Sequence, residues 1–324
     1  MIAMDMNAKR SAGADSTVSS PSSVCSCQHP KNLATFFREK RAFELHTGNI
    51  NEWLDLRFKG FTNSAEELQE CIKLQLEQWN PLILDQSGNN RYSYVGCSSN
   101  ADAITLCQRD EQRCSPSVKA ENRNDLKITL KIFLSDMSNA VNDMHNCIES
   151  VFGSLQTDRV EQLIVSFPDF DIDQPANASD TALAEAWLET IKPAWQYLER
   201  LVADDQRVLK LGVADLDVHE LKALHDWAQH VKPDIDHYNI DGCCTVPAEL
   251  QQYARDHDIS LLTHNDPKQF PKSDILRQIC SEDLGIEDAL CAKWHAAWAA
   301  RYTVMIRTRS VITKKGYVVR FESD

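Results

Sequence analysis

Lys127-Ile128-Thr129-Leu130-Lys131-Ile132-Phe133-Leu134 is the stretch from which the fold is read. Ile128, Leu130, Ile132 and Leu134 share one face and Lys127, Thr129 and Lys131 the other, which is the two-residue period of a strand. Toward the C-terminus, β-rich runs recur at Leu163–Phe167, Val208–Val213, Tyr238–Ile240, Ile259–Thr263 and Thr303–Arg307. Helical patterns fill the intervals, near 138–153, 180–203, 217–231, 247–256, 273–282 and 290–301. Asp217-x-x-Glu220 reads as a capping box, with Leu221, Leu224, Ala228 and Val231 as the buried stripe behind it. Pro247 opens the next helix, where its missing N–H is harmless.

Strand–helix repetition of this kind means βαβ units and a parallel sheet. Toward the N-terminus, Ala42–Leu45 and Tyr92–Cys97 bring the strands to eight, the number that closes a (β/α)8 TIM barrel. An α/β barrel is therefore expected. An open doubly wound sheet is the alternative, weakened by the absence of a Gly-x-Gly-x-x-Gly turn. Leu68, Cys71, Ile72, Leu76 and Trp79 recur at helical spacing and predict an amphipathic helix over 65–79. The polar stretch from Asn90 to Asn124 reads as a short strand and a long loop at about 98–124. Residues 1–33 are too polar to offset their ordering entropy and read as a disordered arm, leaving 34–324 as one barrel domain. Cys25-Ser26-Cys27-Gln28-His29 in that arm lacks a second ligand pair at finger spacing, so no metal site is expected.

Composition narrows the function. The chain of 324 residues is 43% hydrophobic and 25% charged, with mean hydropathy −0.41, which is ordinary globular composition. A net charge of −14 is repelled by phosphate backbones and anionic lipid, so neither nucleic acid nor membrane is an expected partner. Met1 to Ser20 holds no apolar core of a targeting segment, and no window approaches the ~20 apolar residues of a membrane span. The 11 cysteines are odd in number and irregularly spaced, which argues for reduced thiols and a cytoplasmic location.

In a barrel the working residues lie at the C-terminal strand ends. Here those ends read Lys131, Ser166-Phe167-Pro168, Gly212-Val213-Ala214-Asp215, His237, His264-Asn265-Asp266-Pro267 and Arg307-Thr308-Arg309. No nucleophile elbow, zinc helix or Walker sequence is present. Lys131 reads as a lysine snorkelling to the barrel mouth, with a catalytic lysine of lowered pKa as the alternative. His264-Asn265-Asp266-Pro267 is a turn signature, and His237 a hydrogen-bonded core histidine. The vicinal pair Cys243-Cys244 reads as two small apolar residues or as a solvent-reachable thiol.

Lys131, Leu163-Ile164-Val165-Ser166-Phe167-Pro168 and Leu211-Gly212-Val213-Ala214-Asp215-Leu216 resemble the aldo-keto reductase superfamily. Leu45-His46-Thr47-Gly48-Asn49, Trp227-Ala228-Gln229, Cys243-Cys244, Leu261 through Lys268, and Lys315-Gly316-Tyr317 narrow the resemblance. They are similar to the regulatory (modifier) subunits of glutamate–cysteine ligase, from about residue 36 to the C-terminus. The resemblance implies a reductase-type barrel, a heterodimer with the ligase catalytic subunit, better glutamate use and relief of glutathione feedback inhibition. Relative to an active reductase, Ser166 stands where a histidine belongs, and Ala214-Asp215 replaces a Ser-Asn pair that would hold a nicotinamide. No Asp-x-x-x-Tyr occurs in residues 40–125 to supply the proton donor. Lys131, Ser166, Ala214 and Asp215 are therefore expected to be vestigial, with no catalytic residue and no cofactor. An active NADPH-dependent reductase and a thiol-based redox adaptor are the competing expectations. Residues 301–320 carry six basic side chains and no acidic one. Thr308–Phe321 reads as an apolar hairpin arm bent at Lys314-Lys315-Gly316. With the Cys243-Cys244 loop it is expected to contact the partner; covering the barrel's own open end is the other reading.

Overall fold

The structure is a computed structural model that describes residues 33–56, 58–78, 94–97, 104–107, 115–169, 178–240 and 245–324. Residues 1–32 of the arm, Cys243-Cys244, and residues 98–103 and 108–114 of the loop lie outside the described residues. The first elements are α1 (Leu33–Glu39), β1 (Ala42–His46), α2 (Ser64–Gln78), β2 (Tyr94–Cys97) and β3 (Ile104–Cys107). The repeating part follows as β4 (Leu126–Leu134), α3 (Ala140–Leu155), β5 (Val160–Ser166), α4 (Asp180–Ala203), β6 (Val208–Ala214), α5 (Val218–Trp227), β7 (Ile235–Asn239), α6 (Ala248–Asp256) and β8 (Ser260–His264). The chain ends in α7 (Ile275–Arg277), α8 (Asp288–Cys291), β9 (Trp294–Ile306) and β10 (Val311–Ser323). The chain has the α/β, barrel-type fold that its strand–helix rhythm implied.

From β4 to β8 the rhythm is built as expected, each strand parallel to the next and joined to it by a helix. Ile128, Leu130 and Ile132 of β4, Leu163 and Val165 of β5, and Leu211 and Val213 of β6 form one core with α3–α6. The α5 capping box is present: His219 N and Glu220 N donate to Asp217 Oδ1 at 2.7 and 2.8 Å, and Asp217 N donates to Glu220 Oε2 at 3.1 Å. Behind it Leu221, Leu224 and Ala228 are buried, as the spacing required. Each such leucine contributes about 1.5–3 kcal/mol. On the other face Ile164, Ala214 and Ile235 pack together. Gly212 allows that approach, because a Cβ there would lie 2.8 Å from the Cβ of Ile235.

The remaining strands depart from eight parallel strands. The sheet order is β2-β3-β1-β10-β9-β4-β5-β6-β7-β8. β1 is antiparallel to β10, β10 to β9 and β9 to β4, so β1 runs against β4–β8. Tyr94–Cys97 is an outer strand paired with β3, not the neighbour of β4. That place is taken by β9, which pairs with β4 along its whole length and leaves no room for a four-residue strand. The 290–301 helix is also corrected: only Asp288–Cys291 is helical, and Trp294–Ile306 is a strand. Alanine-rich Trp294-His295-Ala296-Ala297-Trp298 suits a helix locally. Ladders on both sides override that preference and bury Trp294, Ala296 and Trp298 alternately. The hairpin turns at Arg307–Ser310, with Ser310 in the left-handed region at φ 52°, and not at Lys314–Gly316. A second, aromatic core fills this half, where Phe36, Phe37, Phe43, Trp294 and Phe321 meet α2 and α7.

The sheet is strongly curled. Four strand spacings separate β4 from β8, about 19 Å if the sheet were flat. Asp266, two residues past β8, nevertheless lies 2.8 Å from Lys131 in β4. Among the described residues no ladder joins β8 to β1.

Candidate functional site

Curling brings the C-terminal ends of β4–β8 over the ladder between β4 and β9, where Lys131 faces Arg301. Two cations side by side in a core need an anion, and Asp266 supplies it. Lys131 Nζ donates to Asp266 Oδ2 at 2.8 Å, and Arg301 Nη2 donates to the same oxygen at 2.9 Å. The Ser64 hydroxyl and Arg301 Nη1 donate to Asp266 Oδ1. Lys131 and Asp266 are each only 3% exposed at the side chain. Burial alone would raise the Asp266 pKa, but the charges of Arg301 and Lys131 and their hydrogen bonds hold it well below the usual carboxylate range. Burial lowers the Lys131 pKa against the pull of Asp266, and Arg301 lowers it further. The snorkelling reading of Lys131 is thus overturned, because its ammonium is inside and partnered.

Asp266 belongs to His264-Asn265-Asp266-Pro267, read from sequence only as a turn. His264 holds that turn in place. Asp266 N donates to His264 Nδ1 at 3.0 Å, which fixes the proton on Nε2; from there it points at Asp215 Oδ1 and the His237 carbonyl, both 2.9 Å away. Asp215 sits at φ 64° just past β6. His237 contacts the Thr263 carbonyl through Nε2 at 3.1 Å, and burial, with the charges of Lys131 and His264, pushes its pKa down to about 3. Its neighbour Asp236 is fully buried, and among the described residues no group makes a well-formed hydrogen bond to either oxygen; burial, then the charge of Asp215, raises its pKa to about 8, opposed by the nearby Leu216 backbone N–H.

Of the expected vestigial positions, Lys131 and Asp215 join this cluster. Ala214 packs beneath it against Ile164 and Ile235. Ser166 lines a cavity of about 440 Å³ with Phe133, Phe167, Lys268, Phe270 and His295. A tyrosine also lies close, which the search of residues 40–125 could not have found. Tyr317 of β10 pairs with Arg301 across the hairpin, but its hydroxyl donates to Glu67 Oε2 at 2.5 Å. Burial and the Glu67 charge raise its pKa, so it is a poor acid. The nicotinamide that the reductase resemblance brings with it does not fit these residues. The Asp215 carboxylate has no donor for the amide carbonyl, Ala214 offers no side-chain polar atom, and no step is derived through that group. Among the described residues no three His, Cys, Asp or Glu side chains are placed to hold a metal.

The basic C-terminal segment is not a free arm. Arg301 is in the buried cluster, Lys314 pairs with Glu121 at 3.2 Å, Lys315 with Glu67 at 2.6 Å and Arg307 with Glu161 at 3.0 Å. The hairpin turn exposes Arg307, Thr308, Arg309 and Ser310 and, beside them, the apolar Val311 and Ile312, each 51% accessible.

Comparison with known proteins gives this geometry its relatives. Over 282 residues the chain is 30% identical to the glutamate–cysteine ligase regulatory subunit of Rattus norvegicus, covering 86% of this chain and 93% of the relative. The chain belongs to the glutamate–cysteine ligase regulatory subunit family. Identity to the Homo sapiens member is 29% over 280 residues, 86% of this chain and 92% of that one. With a putative member from Schizosaccharomyces pombe it is 26% over 219 residues, 61% and 72% of the two chains. An aldo-keto reductase structure from Brucella melitensis matches with TM-score 0.35 and 14% identity over 71% of this chain and 75% of that one. No protein-family profile matches the chain. No helix among the described residues is long and apolar enough to cross a membrane.

Proposed function

We propose that this chain is a non-catalytic regulatory subunit that binds the catalytic subunit of glutamate–cysteine ligase as a heterodimer in the cytoplasm. In that complex it improves glutamate use and relieves feedback inhibition by glutathione. Membership of the regulatory-subunit family supports the partner. The observation that supports the absence of reductase chemistry is the state of Lys131. A reductase needs its lysine beside a phenol poised to protonate an alkoxide. Here the ammonium is held by Asp266 and shares that carboxylate with Arg301, while the Tyr317 proton is directed at Glu67.

Regulation of this kind requires tighter binding to one conformation of the catalytic subunit than to another. The proposed contacts are the hairpin with Lys314 and Lys315, and the loop with Cys243 and Cys244. One arm, residues 1–33, and one domain, 34–324, complete the proposal. Mixing the purified chain with the catalytic subunit tests it. A 1:1 complex on gel filtration with a lowered glutamate KM is expected. Separate elution and an unchanged KM would overturn it. Carbonyl reduction with NADPH by the chain alone, abolished in Lys131→Met, would overturn the non-catalytic part.

A further inference from the structure

At the C-terminal ends of β4 and β5 lies the cavity of about 440 Å³ that the ligase reading does not use. Lys131, Asp215 and Tyr317 do not line it, so the buried ionic cluster does not open into it. Its floor is aromatic: Phe133 and Phe270 are 3% and 6% exposed, with ring centroids 4.2 Å apart. Its rim is ionic. Asp169, in the loop after β5, and Lys268, in the segment after β8, pair at 2.7 Å with side chains 75% and 80% exposed. Ser166, Gln269 and Ser273 also line it, and among the described residues their side chains have no hydrogen-bond partner. We propose that this cavity binds a small α-amino acid with an apolar side chain, its ammonium on Asp169 and its carboxylate on Lys268.

A cleft between loops at a barrel mouth can hold nothing but water. Three observations favour a ligand. The volume falls within the roughly 300–1,000 Å³ of small-molecule sites, and the place is where barrels of this type put their ligands. The floor is a sheltered apolar surface beneath an open mouth, which suits an apolar side chain entering from solvent. The hydroxyls of Ser166 and Ser273 and the amide of Gln269 are unspent donors and acceptors that converge on that space.

The rim selects the charge of the ligand. A solvent-exposed ion pair contributes little, so a ligand that offers each partner a replacement breaks it at small cost. An anion alone takes Lys268, leaves Asp169 without its cation and meets Asp136, which lines the same cavity. That disfavours phosphates and nucleotides. An amine alone takes Asp169 and strands Lys268. A zwitterion satisfies both. In an α-amino acid the two charges sit one carbon apart, which suits a rim pair whose own charges are 2.7 Å apart. The site does not depend on the ligase reading, and its test needs no partner subunit.

The test is saturation-transfer NMR on the full chain with L-phenylalanine as the probe. Saturable binding is expected, with 3-phenylpropanoate and phenethylamine, which each keep one charge, binding at least severalfold more weakly. Asp169→Asn and Lys268→Gln, both at exposed positions that leave the fold intact, should each weaken L-phenylalanine about three- to fivefold. Ser166→Phe, which fills the cavity, should weaken it more than about tenfold; if that variant melts early, the two rim variants carry the test. Absence of saturable binding would overturn the proposal, as would equal affinity for a singly charged probe. Unchanged affinity in both rim variants would overturn it as well, by placing the ligand elsewhere.

Discussion

Between β4 and β8 each strand is joined to the next by a helix, and the core of that half is mainly aliphatic. Leu, Ile and Val of neighbouring elements meet α3–α6. In the other half β1, β10 and β9 are antiparallel, their core is a set of packed rings, and Phe43 stacks on Phe321 at 5.0 Å across the two ends of the chain. The first half is held by short-range repetition and the second by contacts between distant residues. The two meet at the β4–β9 ladder, and Lys131, Asp266 and Arg301 lie on that seam. Charge in this fold is spent where local pattern gives out.

The largest effect is expected from removing the shared anion. Asp266→Asn leaves Lys131 and Arg301 buried beside each other without a counter-charge, and should cost about 3–5 kcal/mol in urea unfolding. Lys131→Met, which leaves Arg301 to satisfy the carboxylate, should stay within about 1 kcal/mol of the parent. Equal costs for the two would show that the seam is not held by Asp266. Next come paired glycine substitutions, one in each half. At Gly316 a Cβ would collide with the Gly48 carbonyl and the Tyr302 ring, so Gly316→Ala should cost more than about 3 kcal/mol. Gly212→Ala meets the Ile235 Cβ at 2.8 Å, its carbonyl at 3.1 Å and Ile164 at 3.2 Å, closer than contact but looser than at Gly316, for about 1–3 kcal/mol. The reverse order would mean that the hairpin half is the softer one.

A smaller effect concerns Asp236, whose folded pKa of about 8 exceeds its unfolded value of about 3.9. The folded state keeps a proton that the unfolded chain releases, so this group costs stability as pH rises from about 4 to 8. Asp236→Asn should remove that slope and gain about 1–2 kcal/mol at pH 7.5, read from thermal melts across pH. A steeper loss in the variant would place the strain elsewhere in the parallel half. The smallest effect is at the hairpin tip. Val311→Ser with Ile312→Ser should change folding stability by less than about 0.5 kcal/mol, since both side chains are half in solvent.

The same division decides what could be read from sequence. The period-2 run at 127–134, the cap at Asp217, and the helix containing Leu68, Cys71, Ile72 and Leu76 state their structure within a few residues, and all three are built as read. Trp294–Arg301 states a helix locally and is part of a strand, continuous with the β-rich run from Thr303, because its two neighbours in the sheet come from elsewhere in the chain. At the site, Lys131 was legible as an inward-facing residue of its strand. Asp266 was hidden inside a turn signature and Arg301 inside a basic run. Only the curl of the sheet makes them one cluster, and nothing in either local pattern encodes that curl. His264 carried a usable signal: a histidine between a strand and Asn-Asp-Pro has a backbone N–H two residues on to accept.

The position of β10 between β1 and β9 also sets a timetable. Thr47, at the end of β1, accepts a hydrogen bond from Tyr317, 270 residues further along the chain. At ~5–20 residues per second on the ribosome, the N-terminal segment waits on the order of 10–60 s for the strand that flanks it. For that interval Phe36, Phe37 and Phe43 have been made, but Trp294 and Phe321, against which Phe37 and Phe43 pack, do not yet exist. A nascent chain of this design presents an aromatic cluster to solvent until translation is nearly finished, and it is a natural client for chaperones that hold on to apolar segments.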